Sequence, residues 1–314
     1  MNFFSQLQPV PIQAIQFEDS SYSLTLWEES PEEELLESIR RFGILNPPVL
    51  RRRQNMSFCI IAGRKRITAA ATLEPVVPVL CRIIRDNLEE AAIFSLLLEE
   101  ALTGKPLTTV EKVIFFEKLI AVSSMDVAVP LLEKLGDKPQ KHILNDLLKL
   151  RSLSLPVLKA LHHDVIRLKN ARKMLDLSPA DQKLLVQFIT DLQFGGSKQQ
   201  KLVDLSIELI KRKNMPLKDI LADFPAACGS EQPLNIPQHG AALLSWLHEQ
   251  CYPRLTLAEN DFQRKVARLG LPSTMQISHA AAFESEEITL SLRFSDWSSM
   301  DRVVAGIKTL MQEE

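Results

Sequence analysis

The hydrophobic periodicity of the chain changes twice, and those two changes restrict the folds open to it more than any single motif does. Up to about residue 86 the apolar residues come in short runs of mixed period. From Asn87 to Lys213 they recur at three and four almost without a break. Near the end they alternate strictly, through Ile288, Leu290, Leu292 and Phe294 of EITLSLRF. A mixed segment, a helical segment and a short β-containing segment together predict an α+β multidomain protein, which suits a length of 314 residues.

Within the first segment, SPEEELLESIRRFG predicts a helix with Ser30 as N-cap, Pro31 at the first helical position, Glu33 closing a capping box and Gly43 as terminator. PPVLRRR, SFCIIAG and VVPVLCRII read as strands, and RITAAATL as a helix between the last two. This predicts a small α/β domain over 1–104. Segments such as TTVEKVIFFEKLIAV, QKHILNDLLKLRSL and KQQKLVDLSIELIKRK predict an all-helical middle domain over 105–222, broken at Gly136, Pro156, Pro179 and Gly195-Gly196. Residues 223–240, with Pro, Gly and no period, read as a linker. The remainder, 241–314, predicts a helix, a two-stranded ribbon from STMQIS and EITLSLRF, and a last helix. In that helix Trp297, Met300, Val304, Ile307 and Met311 recur at three, four, three and four. A ribbon and one helix have little core of their own, so this ββα segment is expected to form a homodimer interface along that seam.

Charge is divided along the chain. Lys and Arg number 10 against 14 Asp and Glu in 1–104, 20 against 13 in 105–221, and 7 against 12 in 222–314. A basic middle between acidic flanks is the balance of a segment that meets a polyanion such as nucleic acid. Aromatic residues are only 6% of the chain, so base stacking is not expected as the main mode of binding. With no apolar run of membrane length and no basic signal segment, a soluble, cytoplasmic protein is expected, without a membrane partner. The four cysteines form no CxxC pair, and His239, His248 and Cys251 do not match a known metal-ligand spacing, so reduced structural thiols are expected.

The segment IIAGRKRITAAA, residues 60–71, joins a strand to a helix through Gly63 and then sets Arg64, Lys65 and Arg66 at the helix start. The unpaired amides and dipole there already attract anions. Three cations at that end disfavour the helix by itself, so a negative ligand is the natural partner. Arginine forks suit phosphate oxygens and lysine adds a point charge, which favours a polyphosphate over a lone carboxylate.

In order along the chain, SIRRFGILNPPVLRR, IIAGRKRITAA, SLLLEEALTGKPLTTVEKV and VAVPLLEKLGDKPQKHILNDLLKLRSL resemble the ParB chromosome-partitioning family, as do FQRKVARLGLPSTMQISH and the C-terminal strand and helix. The resemblance implies a ParB/sulfiredoxin-like N-terminal domain, a helix-turn-helix and a C-terminal dimerisation domain. It implies CTP as ligand, with Mg2+, held by Gly43, Leu45, Gly63, Arg64, Lys65, Arg66 and Thr68, and Glu99 as the metal-side residue. Arg64 stands where the family box has glutamate, and Glu100 where it has asparagine. A nucleotide-responsive DNA clamp with weak CTPase activity, acting in chromosome or plasmid partitioning, is therefore one expectation. A nucleoid-binding or transcriptional regulator without hydrolysis is another. A third, of a different class, is a phosphoryl-transfer enzyme on the same fold, as in the sulfiredoxins and a free-serine kinase.

In the resemblance to the helix-turn-helix, Gly136 takes the turn and Ile143 the buried position. Lys138, Gln140, Lys141, His142 and Asn145 are then the expected DNA contacts, the lysines on phosphates and Gln140 and His142 at base edges. The implied partners are double-stranded DNA with a palindromic site, a second copy of the chain and a ParA-type ATPase, at the nucleoid.

Overall fold

The computed structural model describes residues 3–224, 235–271, 274–280 and 287–297, with the single positions 283, 285, 300 and 301. The chain divides into two compact units, Met1–Gln199 and Gln200–Glu314.

The first unit starts with β1 (Phe4–Val10) and β2 (Ile15–Gln16), followed by α1 (Glu33–Phe42), β3 (Val49–Arg52), β4 (Phe58–Ala62), α2 (Arg64–Thr72) and β5 (Val79–Ile84). The sheet order is β1-β5-β3-β4-β2. β1 is antiparallel to β5 and β3 to β4, whereas β3 runs parallel to β5 and β2 to β4. Every period-two strand of the sequence reading is present, and β1 and β2 are additional. One face of the sheet packs Leu50, Ile60, Cys81 and Ile83 against Ile67, Ala70 and Ala71 of α2. Ile67 is fully buried, and burial of such a side chain is worth roughly 1.5–3 kcal/mol. α2 is thereby pinned by its small and apolar face, which fixes where its N-terminus lies.

α1 begins later than its sequence suggests. Its N-cap is Glu32, without a side-chain cap, so neither Ser30 nor Pro31 starts it. Glu33 and Glu34 complement the dipole of the first turn instead, and Gly43 ends the helix with φ of 70° as expected.

The helices that follow are α3 (Glu90–Leu102), α4 (Thr109–Val122), α5 (Met125–Ala128), α6 (Leu131–Lys134), α7 (Lys141–Lys149), α8 (Leu155–His162), α9 (Leu168–Lys173) and α10 (Pro179–Asp191). α4 is the axis of this layer. Val110, Val113, Ile114, Phe115, Phe116 and Leu119 are all buried, and α3, α5, α7 and α8 pack on it. Its start is a full capping box: the Glu111 amide donates to the Thr108 hydroxyl at 3.2 Å, and the Thr108 amide to the Glu111 carboxylate at 2.8 Å. Pro156 and Pro179 sit in the first turns of α8 and α10, where proline is tolerated, so they open helices.

α11 (Gly196–Lys213) runs from the first unit into the second, which continues with α12 (Leu217–Leu221), α13 (Ile236–Cys251), α14 (Pro253–Arg268), β6 (Met275–His279) and β7 (Ile288–Leu292). The expected linker is shorter at its far end than 240, because Asn235 and Gln238 form a capping box that starts α13 at Ile236. Residues 225–234 lie outside the described part. β6 and β7 pair antiparallel with Ile277 opposite Leu290, as the alternation predicts. Ile288 and Leu290 are nevertheless exposed, as is Trp297. Met300 is half-buried, and Val304, Ile307 and Met311 of the expected seam lie outside the described residues. Among the described residues no helix is long and apolar enough to cross a membrane.

Candidate nucleotide-binding turn and the helical surface beside it

Gly63 is the N-cap of α2 and adopts φ of 89°, a left-handed conformation that other residues adopt at a cost. A Cβ there would come within 3.0 Å of Pro48 Cβ and 2.9 Å of an Arg66 guanidinium nitrogen. The loop after Gly43 is therefore pressed against the turn, and Arg66 reinforces the contact by donating to the Asn46 carbonyl. Of the expected residues, Gly63, Arg64, Lys65 and Arg66 are consecutive at this strand-to-helix junction, and Asn46 and Pro48 of the loop that carries Leu45 touch it, with Leu45 itself strongly exposed and Thr68 half-buried.

The three cations differ in their surroundings. Arg64 donates to the carbonyls of Phe17 and Asp19 at 2.7 and 2.5 Å. Lys65 is the most open, with its ammonium 2.6 Å from Glu29. Burial pushes the Arg64 and Arg66 guanidinium pKa values below their ordinary range, which raises the value of an anionic partner. Burial also works against the Lys65 ammonium, but the Glu29 carboxylate outweighs it and its pKa sits above the usual lysine value.

Segment 18–22, where Arg64 is anchored, also walls an open cleft of about 640 Å³ with Arg53, Glu90, Phe94 and Lys118. Polar groups in and beside it are organised in pairs. Arg53 grips Asp19 at 2.6 Å, and Arg51 donates at 2.7 Å to the Tyr22 hydroxyl, which in turn donates at 2.8 Å to Glu90. Lys118 donates to the Ser20 carbonyl and, at 2.7 Å, to that of Ser23. These residues escaped the sequence reading because 18–29 has no period and belongs to no helix or strand. The signal available was the run Arg51-Arg52-Arg53 at the end of β3.

Glu99 does not face the turn: it is exposed and pairs with Lys134 of α6. Glu100 is the carboxylate on the side of Arg82, at 3.5 Å. Among the described residues no three His, Cys, Asp or Glu side chains form a metal-holding group. The described residues therefore do not form a protein-held Mg2+ site. Cys59 is fully buried on β4, and burial pushes its thiol pKa up. Cys81 and Cys251 are also buried and free, at about 12 and about 11. Inert structural thiols are the physical consequence, which disfavours sulfiredoxin-type chemistry. Cys228 lies outside the described residues.

In the helical layer, Gly136 turns with φ of 79° between α6 and α7. α7 starts at Lys141 with Gln140 as N-cap. Lys138, Gln140, Lys141, His142 and Asn145 are all exposed around its N-terminal end. The buried position is Leu144, with Leu147 a turn later, while Ile143 is only half-buried. The inward stripe is thus rotated by one residue from the expected one, because Leu144 and Leu147 are the pair that can seat against α4. Lys141 is 2.9 Å from Asp126, an exposed pair of little energetic weight.

Residues 4–97 match the ParB N-terminal domain family. The chain is 29% identical over 215 residues to the nucleoid occlusion proteins of Bacillus mycoides (strain KBAB4) and Bacillus thuringiensis (strain Al Hakam), covering 67% of this chain and 70% of each of those proteins. The chain is thus similar to ParB-family proteins, and residues 4–97 match the N-terminal domain of that family. Among solved structures, it is similar to the C-terminally truncated chromosome-partitioning protein ParB from Caulobacter crescentus complexed with CTP-gamma-S, at 20% identity and a TM-score of 0.28, over 59% of this chain and 99% of that one. The same protein complexed to the centromeric parS site gives 18% identity and a TM-score of 0.33, over 63% and 98%. Those ligands belong to the Caulobacter protein. The ParB match spans the five-stranded sheet, α1, α2 and the first turns of α3, and so includes the whole Gly63 turn.

Proposed function

We propose that the protein is a nucleotide-responsive, ParB-like DNA-binding protein of chromosome or plasmid partitioning or of nucleoid occlusion, with CTP as the nucleotide and the nucleoid as its place of action. The observation that carries this reading is the Gly63 turn, where free helix amides, a left-handed glycine and three cations converge within the part of the chain that matches the ParB N-terminal domain. The amides of the first turn and Lys65 are suited to hold phosphates, with Arg64 and Arg66 reorienting from backbone carbonyls to phosphate oxygens. The cleft walled by segment 18–22 offers room beside Arg64 for a nucleoside. α5, α6 and α7 act as the helix-turn-helix, with Lys138 and Lys141 on phosphates and Gln140, His142 and Asn145 at base edges. The name shared by the Bacillus relatives supports the nucleoid as the setting.

Exposure of Ile288, Leu290 and Trp297 supports a second copy of the chain as the cover for the C-terminal ribbon. A two-fold dimer would set two reading helices on a palindromic site. A ParA-type ATPase is the partner that a partitioning role requires. The engagement of Glu99 by Lys134 favours, within this reading, a regulator that binds CTP without hydrolysing it.

Calorimetry tests the turn: CTP should bind the wild-type chain, and Arg66→Ala should abolish that binding. DNA titrations at increasing salt test the helical surface. Affinity should fall steeply with salt, and Lys138→Glu with Lys141→Glu should weaken it by about tenfold or more. Salt-independent binding, or no loss in the charge-reversed variant, overturns the assignment.

A further inference from the structure

We propose that Glu29 is a built-in counter-anion that competes with phosphate for the tri-cation turn and so sets its affinity; this rests on the reading of that turn as the nucleotide site. Of the three cations, Arg64 and Arg66 face neutral carbonyl oxygens. Of the three, only Lys65 is in ion-pair contact with a carboxylate, at 2.6 Å, the acids near Arg64 and Arg66 acting from farther away. A phosphate arriving at Lys65 must therefore displace or share with a carboxylate, whereas at the arginines it replaces weaker acceptors.

Glu29 is also held in place independently of Lys65. Its Oε1 accepts from the Trp27 indole at 3.3 Å and lies 3.0 Å from His162 Nε2, while Oε2 is the atom turned to Lys65. The histidine is almost fully enclosed, and its Nδ1 is 3.0 Å from the Thr108 hydroxyl. That hydroxyl accepts from the Glu111 amide, so its own proton is free for Nδ1, which leaves the Nε2 proton to point at Glu29. The imidazole thus orients the carboxylate. Trp27 closes the cradle, edge-on to His162 at 5.2 Å and with the Lys159 ammonium 5.7 Å from its ring centre. A carboxylate that only balanced a surface lysine would need no such pair of further donors.

The test is CTP calorimetry at fixed ionic strength on the wild-type chain, Glu29→Gln and Glu28→Gln. Glutamine at 29 keeps an oxygen for Trp27 and His162 and removes the charge at Lys65. Glu28 is exposed and one residue away, so its variant removes the same formal charge without the contact. Glu29→Gln should bind CTP roughly three- to tenfold more tightly, with Glu28→Gln changed by less than about twofold. Binding by Glu29→Gln equal to or weaker than wild type overturns the proposal and leaves the nucleotide site standing. An equal gain in both variants also overturns it, since a general field effect would then suffice. Absence of CTP binding in wild type and Glu29→Gln alike overturns both readings. Should Glu29→Gln not fold, Glu29→Asp draws the charge back by one methylene and should still bind more tightly than wild type; unchanged affinity there overturns the proposal.

Discussion

Gly63 shows how one residue joins backbone conformation to chemistry. Its positive φ starts α2 where β4 ends, and the absence of a side chain lets Pro48 and Arg66 close over it. Gly63→Ala should therefore destabilise the chain by about 1–2 kcal/mol for the left-handed backbone alone, measured by urea unfolding. Pro48 is a stiff ring that cannot swing away, so CTP binding should weaken in the same variant beyond its loss of stability. The glycine and the three cations behind it were legible in the sequence because strand, turn and helix all leave local signals. Glu29 was not. Its partners Lys65 and His162 are 36 and 133 positions away, and nothing in EESPEEE distinguishes the one acid that contacts a lysine from the other four.

At the scale of elements, two helices carry reciprocal caps, neither of which was anticipated, whereas the capping box expected at Ser30 and Glu33 did not form. Thr108 and Glu111 start α4 and Asn235 and Gln238 start α13 by the same reciprocal hydrogen bonds. Thr108→Ala should cost about 1 kcal/mol in an equilibrium unfolding measurement, with the loss reduced in a chain already carrying Glu111→Ala. His162 gives this cap a second role, so the same variant should also loosen the setting of Glu29. The elements missing from the sequence reading are those without a local signal. β1 has little alternation in FSQLQPV and exists through its pairing with β5 from Phe4 to Val10. β2 is two residues long and α9 only six, too short for any period to show. The register of α7 was misplaced by one position for a related reason. Ile143 and Leu144 are adjacent and equally apolar, and only contact with α4 selects between them.

For the molecule as a whole, the carboxylates that tie segment 18–29 to the sheet and the helical layer predict an acid-side loss of stability. Burial would raise the pKa values of Asp19, Glu29 and Glu90, but their hydrogen bonds and ion pairs outweigh it and hold all three below ordinary values. The folded chain consequently binds fewer protons there than the unfolded one, so this stability is present above the ordinary carboxylate range and is lost as pH falls through the lowered values. Melting temperature should thus be flat near neutrality and drop as pH goes below the ordinary glutamate value of 4.5. Glu29→Gln should make that drop shallower; an unchanged slope would show that Glu29 takes no part in it.

The sequence by itself determined the periods and the glycine turn with its three cations, and with them the mixed α/β class and the order of most elements. These follow from interactions within a few residues, where spacing alone decides which side chains meet. Tertiary structure decided the rest: which carboxylate stands against Lys65, which leucines of α7 turn inward, and that Glu99 faces Lys134 and not the turn. Those choices depend on the packing of elements distant in the chain, whose charges and apolar faces carry no mark of their partners until the core brings them together.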